Sequence, residues 1–209
     1  MCTAYEIGKR GGSFPEWGTK DAFEHLMEIE GYTIIRLTLP APVLLRDGTL
    51  RTMRWGFRRL VPGKLKPGWR TIGNSREDKL SGRTWKESFT ERRCLIPASA
   101  FFEWIDGPAG KVPLRFERPE NEWLWIAGIW ETDKERGDCF SMITTEPSGA
   151  IAPIHDRMPA VLTNAQLRPY LDGELNEFGP SAVPLEWKET ANFLKKTSGE
   201  TKPEQGELF

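Results

Sequence analysis

Cysteine and histidine are scarce in this 209-residue chain: Cys2, Cys94 and Cys139 are the only thiols, His25 and His155 the only imidazoles. The cysteines form no CxxC pair and do not cluster with the histidines at metal-ligand spacing. Their odd number argues against a disulfide framework, so neither structural zinc nor any other metal is expected. No apolar run is long enough to span a bilayer, and no basic-then-apolar segment opens the chain as a secretory signal would. The expected location is therefore the cytoplasm, with nucleoid association if the partner is DNA. The GxGxxG, GxxxxGK[ST] and HExxH patterns are missing, as is any internal repeat. No dinucleotide, nucleotide-phosphate or zinc-protease site is expected, and no cofactor.

Net charge is also nearly absent, at −1, but it is unevenly spread. Between Arg51 and Arg93 stand thirteen basic and four acidic residues, a local +9, which leaves −10 on the remainder. Such asymmetry points to a polyanion, although it would equally describe a solvated basic surface. Nine tryptophans are many for this length, and flat aromatic surfaces can fill a core or stack on bases.

The length suits one domain with a real core. The stretch "TKDAFEHLMEIE" has apolar residues at helical spacing, with His25 on its polar side. "YTIIRLTLPAPVLLRDGTLRTMRWGF" reads as strands with a turn at Asp47-Gly48, and "RRLVPGKLKPGW" as a loop. "TWKESFTERR" predicts a short helix started by a Thr84/Glu87 capping box. Strands follow at "RCLIPASAFFEW", "VPLRFERP", "EWLWIAGIWE" and "CFSMITTEP". Helices are expected over "AQLRPYLD", capped by Asn164, and over "PLEWKETANFLKK". The pattern predicts one α+β domain over residues 1–196: a curved, mostly antiparallel, barrel-like sheet with peripheral helices. Residues 197–209 read as a flexible polar tail. Nothing in the sequence suggests more than a monomer.

Four short segments carry the reactive side chains. "MCTAY" puts a thiol directly behind the initiator. Once Met1 is removed, Cys2 bears an α-amine and a thiol on one carbon, a pair that closes on an aldehyde as a thiazolidine. A free α-amine near ~8 leaves a useful neutral fraction at physiological pH. In "ASAFFEW", Glu103 takes a place where a buried strand asks for an apolar residue. Buried, its pKa would rise toward neutrality and suit proton transfer; at a strand end it would simply face water. In "PIHDRMP", His155 sits in a proline-bounded loop beside Asp156 and Arg157, as an acid–base group or as a structural histidine. "GNSRED" contributes Asn74.

In this order, the second-position Cys, "RWGF", "GNSRED", "RCLIPASAFFEW" and "IHDRMPAVL" resemble the SOS-response-associated peptidase (SRAP) family. The resemblance runs from Cys2 to about Leu162. It implies a protein that recognises abasic sites in single-stranded DNA and forms a thiazolidine cross-link through its N-terminal cysteine. On that resemblance Cys2 supplies both nucleophiles, and Glu103 holds and deprotonates the amine. His155 protonates the sugar ring oxygen, and Asn74 positions the sugar. Arg76 would clamp phosphate. Trp55 with Gly56, and Phe102 with Trp104, would wedge or stack against bases. Thr144 and Arg157 complete the expected DNA contacts.

The chain departs from the family pattern at three places. The family's MCGR is "MCTA" here, so Ala4 replaces an arginine, and Lys9 and Arg10 are the nearest candidates to take its place. Ser75 enters the asparagine motif, and Ala100 stands where glycine is usual. Two other readings remain open: an N-terminal-cysteine thiol peptidase acting on its own Met1, and a non-catalytic single-strand-binding module. The final "QGELF" resembles the short peptide that binds bacterial sliding clamps, with Gln205, Leu208 and Phe209 as its fixed residues.

Overall fold

The computed structural model describes residues 2–12, 14–62, 66–108 and 110–194. Strand β1 (Ala4–Gly8) is followed by helix α1 (Lys20–Met27) and by β2 (Tyr32–Arg36), which returns antiparallel to β1. A hairpin of β3 (Pro40–Leu44) and β4 (Leu50–Trp55) turns at Asp47-Gly48. There Gly48 takes a φ of +83° and the Asp47 carboxylate accepts from the Thr49 N–H at 3.0 Å. Next come β5 (Phe57–Val61), β6 (Gly68–Ile72), the short β7 (Asn74–Arg76) and helix α2 (Lys86–Glu91). Strands β8 (Arg93–Ala98), β9 (Ala100–Gly107), β10 (Gly110–Glu117), β11 (Leu124–Asp133) and β12 (Gly137–Thr145) form the long middle of the chain. The short β13 (Met158–Pro159) and β14 (Val161–Leu162), helix α3 (Asn164–Leu171) and edge strand β15 (Glu186–Glu189) follow.

The fold is α+β and mostly antiparallel. One sheet has the order β15-β10-β9-β1-β2. The other runs β12-β4-β3-β8-β11, and because β11 also pairs with β12 the five strands close into a barrel. Closure removes free edges, and the inward alternation of each strand fills the interior. Tyr5, Ile7, Val43, Trp55, Ile96, Trp125, Phe140 and Met142 share one continuous core. No helix among the described residues is long and apolar enough to cross a membrane.

Where sequence expectation and structure differ, tertiary packing decides. The helix expected over residues 184–196 is instead β15, whose backbone completes the open edge of β10 in the register Phe116↔Trp187. The loop expected at "RRLVPGKLKPGW" supplies both arms of a hairpin, with Leu60 opposite Trp69. Helix α2 starts at Lys86 without the Thr84/Glu87 box, since Trp85 is packed against Phe57 at 5.6 Å and fixes the entry. Helix α3 is capped one residue earlier than expected, by Thr163 with Gln166.

Candidate active site

Cys2 precedes β1 and is buried at 1% exposure among core side chains. Its Sγ donates to the Ala4 carbonyl at 3.0 Å. Asn74, at the start of β7, donates from Nδ2 to the Cys2 carbonyl at 2.7 Å. Strand β7 lies parallel to β12, with Asn74 opposite Met142, so this bond ties the residue at the amino terminus to the barrel. The Asn74 Oδ1 is buried with no hydrogen-bond partner among the described residues, which leaves the amide an acceptor beside the Cys2 contact. Burial first, and then the nearby Glu103 charge, push the Cys2 thiol up to about 12. At neutral pH the sulfur is therefore a thiol.

Glu103 lies on β9 opposite Leu114 of β10. Alternation along β9 puts Phe101 and Glu103 on the inner face, where Phe101 stacks on Phe116 at 5.1 Å. The carboxylate is thus carried into the core at 2% exposure rather than left in water. Burial raises its pKa to about 7, against the opposing pull of the chain's amino-terminal charge. A carboxyl group of that pKa both accepts and donates protons at physiological pH.

His155 ends a turn in which its N–H bonds to the Ile151 carbonyl at 2.9 Å. Burial, then the positive amino terminus, lowers its imidazole pKa. The ring's Nδ1 accepts from the Arg157 N–H at 3.0 Å and lies 2.9 Å from the Asp156 carboxylate. One nitrogen cannot accept from the first and donate to the second. The lowered pKa favours the neutral ring, with Nδ1 as acceptor and the proton on Nε2; protonation would make Nδ1 a donor to Asp156 in place of an acceptor from Arg157. The Cys2 thiol responds to the Glu103 charge, and Glu103 to that of Asp156, the neighbour of His155, so the structure brings three of the four candidate groups to one electrostatic site. Asn74 joins them through its bond to Cys2.

The expected DNA contacts fare differently. Trp55 is fully buried, edge-on to Tyr5 at 5.3 Å and stacked on Phe140 at 6.4 Å. Its Nε1 donates to the Gly73 carbonyl at 2.8 Å, which fixes the residue before Asn74. Truncating such a tryptophan would cost about 3–5 kcal/mol, enough to explain it without a base contact. Gly56 is buried at a φ of +113°, and a Cβ there would collide with Thr71, so it serves the turn. Phe102 and Trp104 lie on the face of β9 opposite Glu103, under Phe193 at 4.8 and 5.8 Å. Phe102 is almost wholly covered and cannot stack on a base there. Thr144 is fully buried; its carbonyl accepts from Arg157 Nη2. Arg157 is a brace between the His155 turn and β12, not an outward cation. Arg76 remains solvent-exposed, held in a two-pronged pair with Asp78 at 2.9 and 3.0 Å.

Two further groups complete the surroundings. Glu77 Oε1 accepts from Thr145 Oγ1 at 2.8 Å and from the Glu146 N–H at 3.2 Å, and lies 3.8 Å from Arg157. It therefore ties "NSRED" to the segment carrying His155, a role its place inside that motif hinted at but did not define. Arg10, one candidate for the missing cation, is buried on Asn121, the Ser99 carbonyl and Glu117, and cannot serve. No group of three or more His, Cys, Asp or Glu side chains among the described residues is placed to hold a metal ion.

A profile of the SOS response associated peptidase (SRAP) family matches residues 14–192. The chain belongs to the SRAP family. Among curated SRAP-like relatives, it is 32% identical over 142 residues to the Abasic site processing protein YoqW of Bacillus subtilis, covering 62% of this chain. It is 29% identical to the Abasic site processing protein YedK of Escherichia coli, over 58% of this chain and 54% of that one. The chain's match spans only 61% of the length of YoqW. A crystal structure of a protein from Bacteroides thetaiotaomicron superposes with a TM-score of 0.72 at 20% identity, covering 94% of this chain and 95% of that one. That likeness establishes the shared fold of this SRAP chain.

Proposed function

We propose that this protein captures abasic sites in single-stranded DNA through Cys2, once Met1 has been removed, and closes a thiazolidine cross-link on the sugar aldehyde. The observation that carries the reading is the buried Cys2, held at its carbonyl by Asn74 and facing a Glu103 whose pKa is raised to about 7. Relatives named abasic site processing proteins support the same substrate.

The chemistry divides among four side chains. An abasic deoxyribose is mostly a closed hemiacetal, and protonation of its ring oxygen by the His155 imidazolium opens the aldehyde. The Cys2 amine adds to the carbonyl carbon, passing a proton to the new alkoxide, and water departs with a proton from Glu103 to leave an iminium ion. The thiol then adds to that same carbon, and its proton passes to the Glu103 carboxylate. Aldehyde and aminothiol thus give thiazolidine and one water, with Glu103 used twice and regenerated. Asn74 contributes geometry: its amide holds the reacting residue at the carbonyl, and its Oδ1 can accept from the sugar hydroxyl.

The raised thiol pKa argues against the peptidase reading, because a thiol peptidase depends on a readily formed thiolate. It suits an order in which the amine attacks first and the thiol second.

One gel separates the readings. Trimmed protein is mixed with single-stranded DNA carrying one abasic site, then denatured and heated. A band of joined mass that disappears in Cys2→Ala is the expected result. Peptide cleavage with no joined species would support the peptidase. Salt-sensitive binding to undamaged strands alone would leave only the binding module.

A further inference from the structure

We infer that the exposed face of the β5–β6 hairpin binds the single strand beside the lesion, with Trp69 stacking on one of its bases. The inference rests on the abasic-strand reading proposed above and adds to it a contact outside the reactive groups. The two strands form a sheet of their own. One face is tied to the barrel: Phe57 is fully buried, and Arg59 Nη2 reaches the Glu131 carboxylate at 2.6 Å. Facing residues of an antiparallel pair point to the same side, so Arg58, Leu60, Trp69 and Thr71 share the other face. Leu60 and Trp69 stand directly opposite each other there, 56% and 58% exposed. Two large apolar side chains meeting in this way make a patch, not a scattered exposure. The indole is already held in place. The Arg58 guanidinium lies 4.0 Å from its ring centroid and is itself paired with Glu135, while more than half of the tryptophan stays open to solvent. An aromatic fixed before binding loses little freedom when a base stacks on it.

The face runs toward the candidate site. Leu37, another exposed apolar side chain, meets Thr71 over Gly56, where a Cβ would touch both. Leu37 also covers Gly73, where a Cβ would collide with it. Gly73 directly precedes Asn74, whose amide holds Cys2. Leu60, Trp69, Thr71 and Leu37 thus line a path that ends beside Asn74. The five residues from Trp69 to Asn74 can span no more than about 18 Å, a reach of a few nucleotides. Charge selects the occupant. Between Phe57 and Ile72 the sequence carries five basic residues and no acidic one. An aromatic platform within a basic segment suits a polyanion that offers flat, unpaired rings, which is a single-stranded nucleic acid.

The test separates stacking from the covalent chemistry. Full-length protein is bound to a single strand carrying a tetrahydrofuran abasic analogue, which has no aldehyde, with 2-aminopurine placed in turn at each neighbouring position. Wild type should quench 2-aminopurine fluorescence at a position that Trp69→Ala no longer quenches. Affinity should fall about tenfold in Trp69→Ala, the cost of one base–aromatic stack. Trp69→Leu keeps an apolar partner for Leu60 but has no ring, and should lose as much; Trp69→Phe should stay within threefold of wild type. Bases of an undamaged blunt duplex are already stacked, so Trp69→Ala should bind that duplex within twofold of wild type. Wild-type affinity in Trp69→Leu would make the side chain a packing group and overturn the assignment, as would equal losses on single strand and duplex. Unchanged strand affinity and quenching in Trp69→Ala would also overturn it and leave the face to a protein partner. In each case the Cys2 reaction stands, since it is read separately as an adduct on an aldehyde-bearing strand. A wild type that shows the Trp69 stack yet forms no adduct would instead remove the capture reaction and leave this surface.

Discussion

Asn74 Nδ2 donates to the carbonyl of Cys2 across 2.7 Å, joining the barrel to the residue that would do the chemistry. The bond fixes the residue whose amine must meet an aldehyde at bonding range, and a misplacement of about 1 Å can cost about 10²-fold in such reactions. Asn74→Ala is expected to slow single-turnover cross-linking by about that factor. Loss of the hydrogen bond should cost only about 1 kcal/mol of stability. A stopped time course on an abasic strand, read beside a thermal melt, checks both. An unchanged rate would mean the contact is structural alone.

Glu103 sets function against stability. Its folded pKa of about 7 lies above the ordinary carboxylate value of 4.5, because burial penalises the charge. A group raised in this way favours the fold below the unfolded pKa, and that contribution is lost as pH rises through the folded pKa. Wild-type stability should therefore fall between pH 4.5 and about 7 on account of this residue and stay low above it. Glu103→Gln removes the dependence. Its melting temperature should match wild type near pH 4.5 and exceed it at pH 8, by at most about 3 kcal/mol in free energy. The same variant should lose about 10²-fold or more in cross-linking rate, since the proton carrier is gone. A less stable Glu103→Gln at pH 8 would contradict the buried-charge account.

His155 is assigned to ring opening, so its loss should depend on the substrate's form. With a natural abasic site, His155→Ala should lower the rate by about 10²-fold. With a strand bearing a linear aldehyde that cannot close a ring, the variant should react at the wild-type rate. Burial keeps the imidazole pKa below its usual value. The His155-dependent part of the rate should therefore already be declining at neutral pH, as the imidazolium is lost. Equal losses on both substrates would show that the histidine acts after ring opening.

Much of this architecture was legible in residue order. The near-continuous apolar run in "RCLIPASAFFEW" marks β8 and β9, and the Asp47-Gly48 turn marks the β3–β4 hairpin, since both signals are local. The candidate site residues stand out in the sequence for a different reason: each is a polar group set in an apolar or proline-bounded context. The roles of the aromatics were not. Trp55 and Phe102 read equally well as core or as stacking surface, and only the closure of the barrel and the placement of Phe193 over β9 decide for core. The β15 strand was hidden because its partner, the open edge of β10, lies some seventy residues earlier in the chain.

The chain ends in Gln205, Leu208 and Phe209, outside the described residues. Sliding-clamp binding by this tail is a separate proposal, drawn from its resemblance to clamp-binding peptides. In that mode two apolar side chains enter a pocket while the glutamine hydrogen-bonds at its rim, so short segments carry most of the affinity. Deleting residues 205–209 should abolish binding to an immobilised bacterial clamp while leaving the cross-linking rate on naked abasic strands within twofold of wild type. A polar spacer from Thr197 onward would let both attachments form together, so on clamp-loaded DNA the intact tail should raise the apparent rate by raising the local concentration of protein. Equal rates for intact and truncated protein on loaded and naked DNA, with equal clamp affinity, would assign the tail no such role.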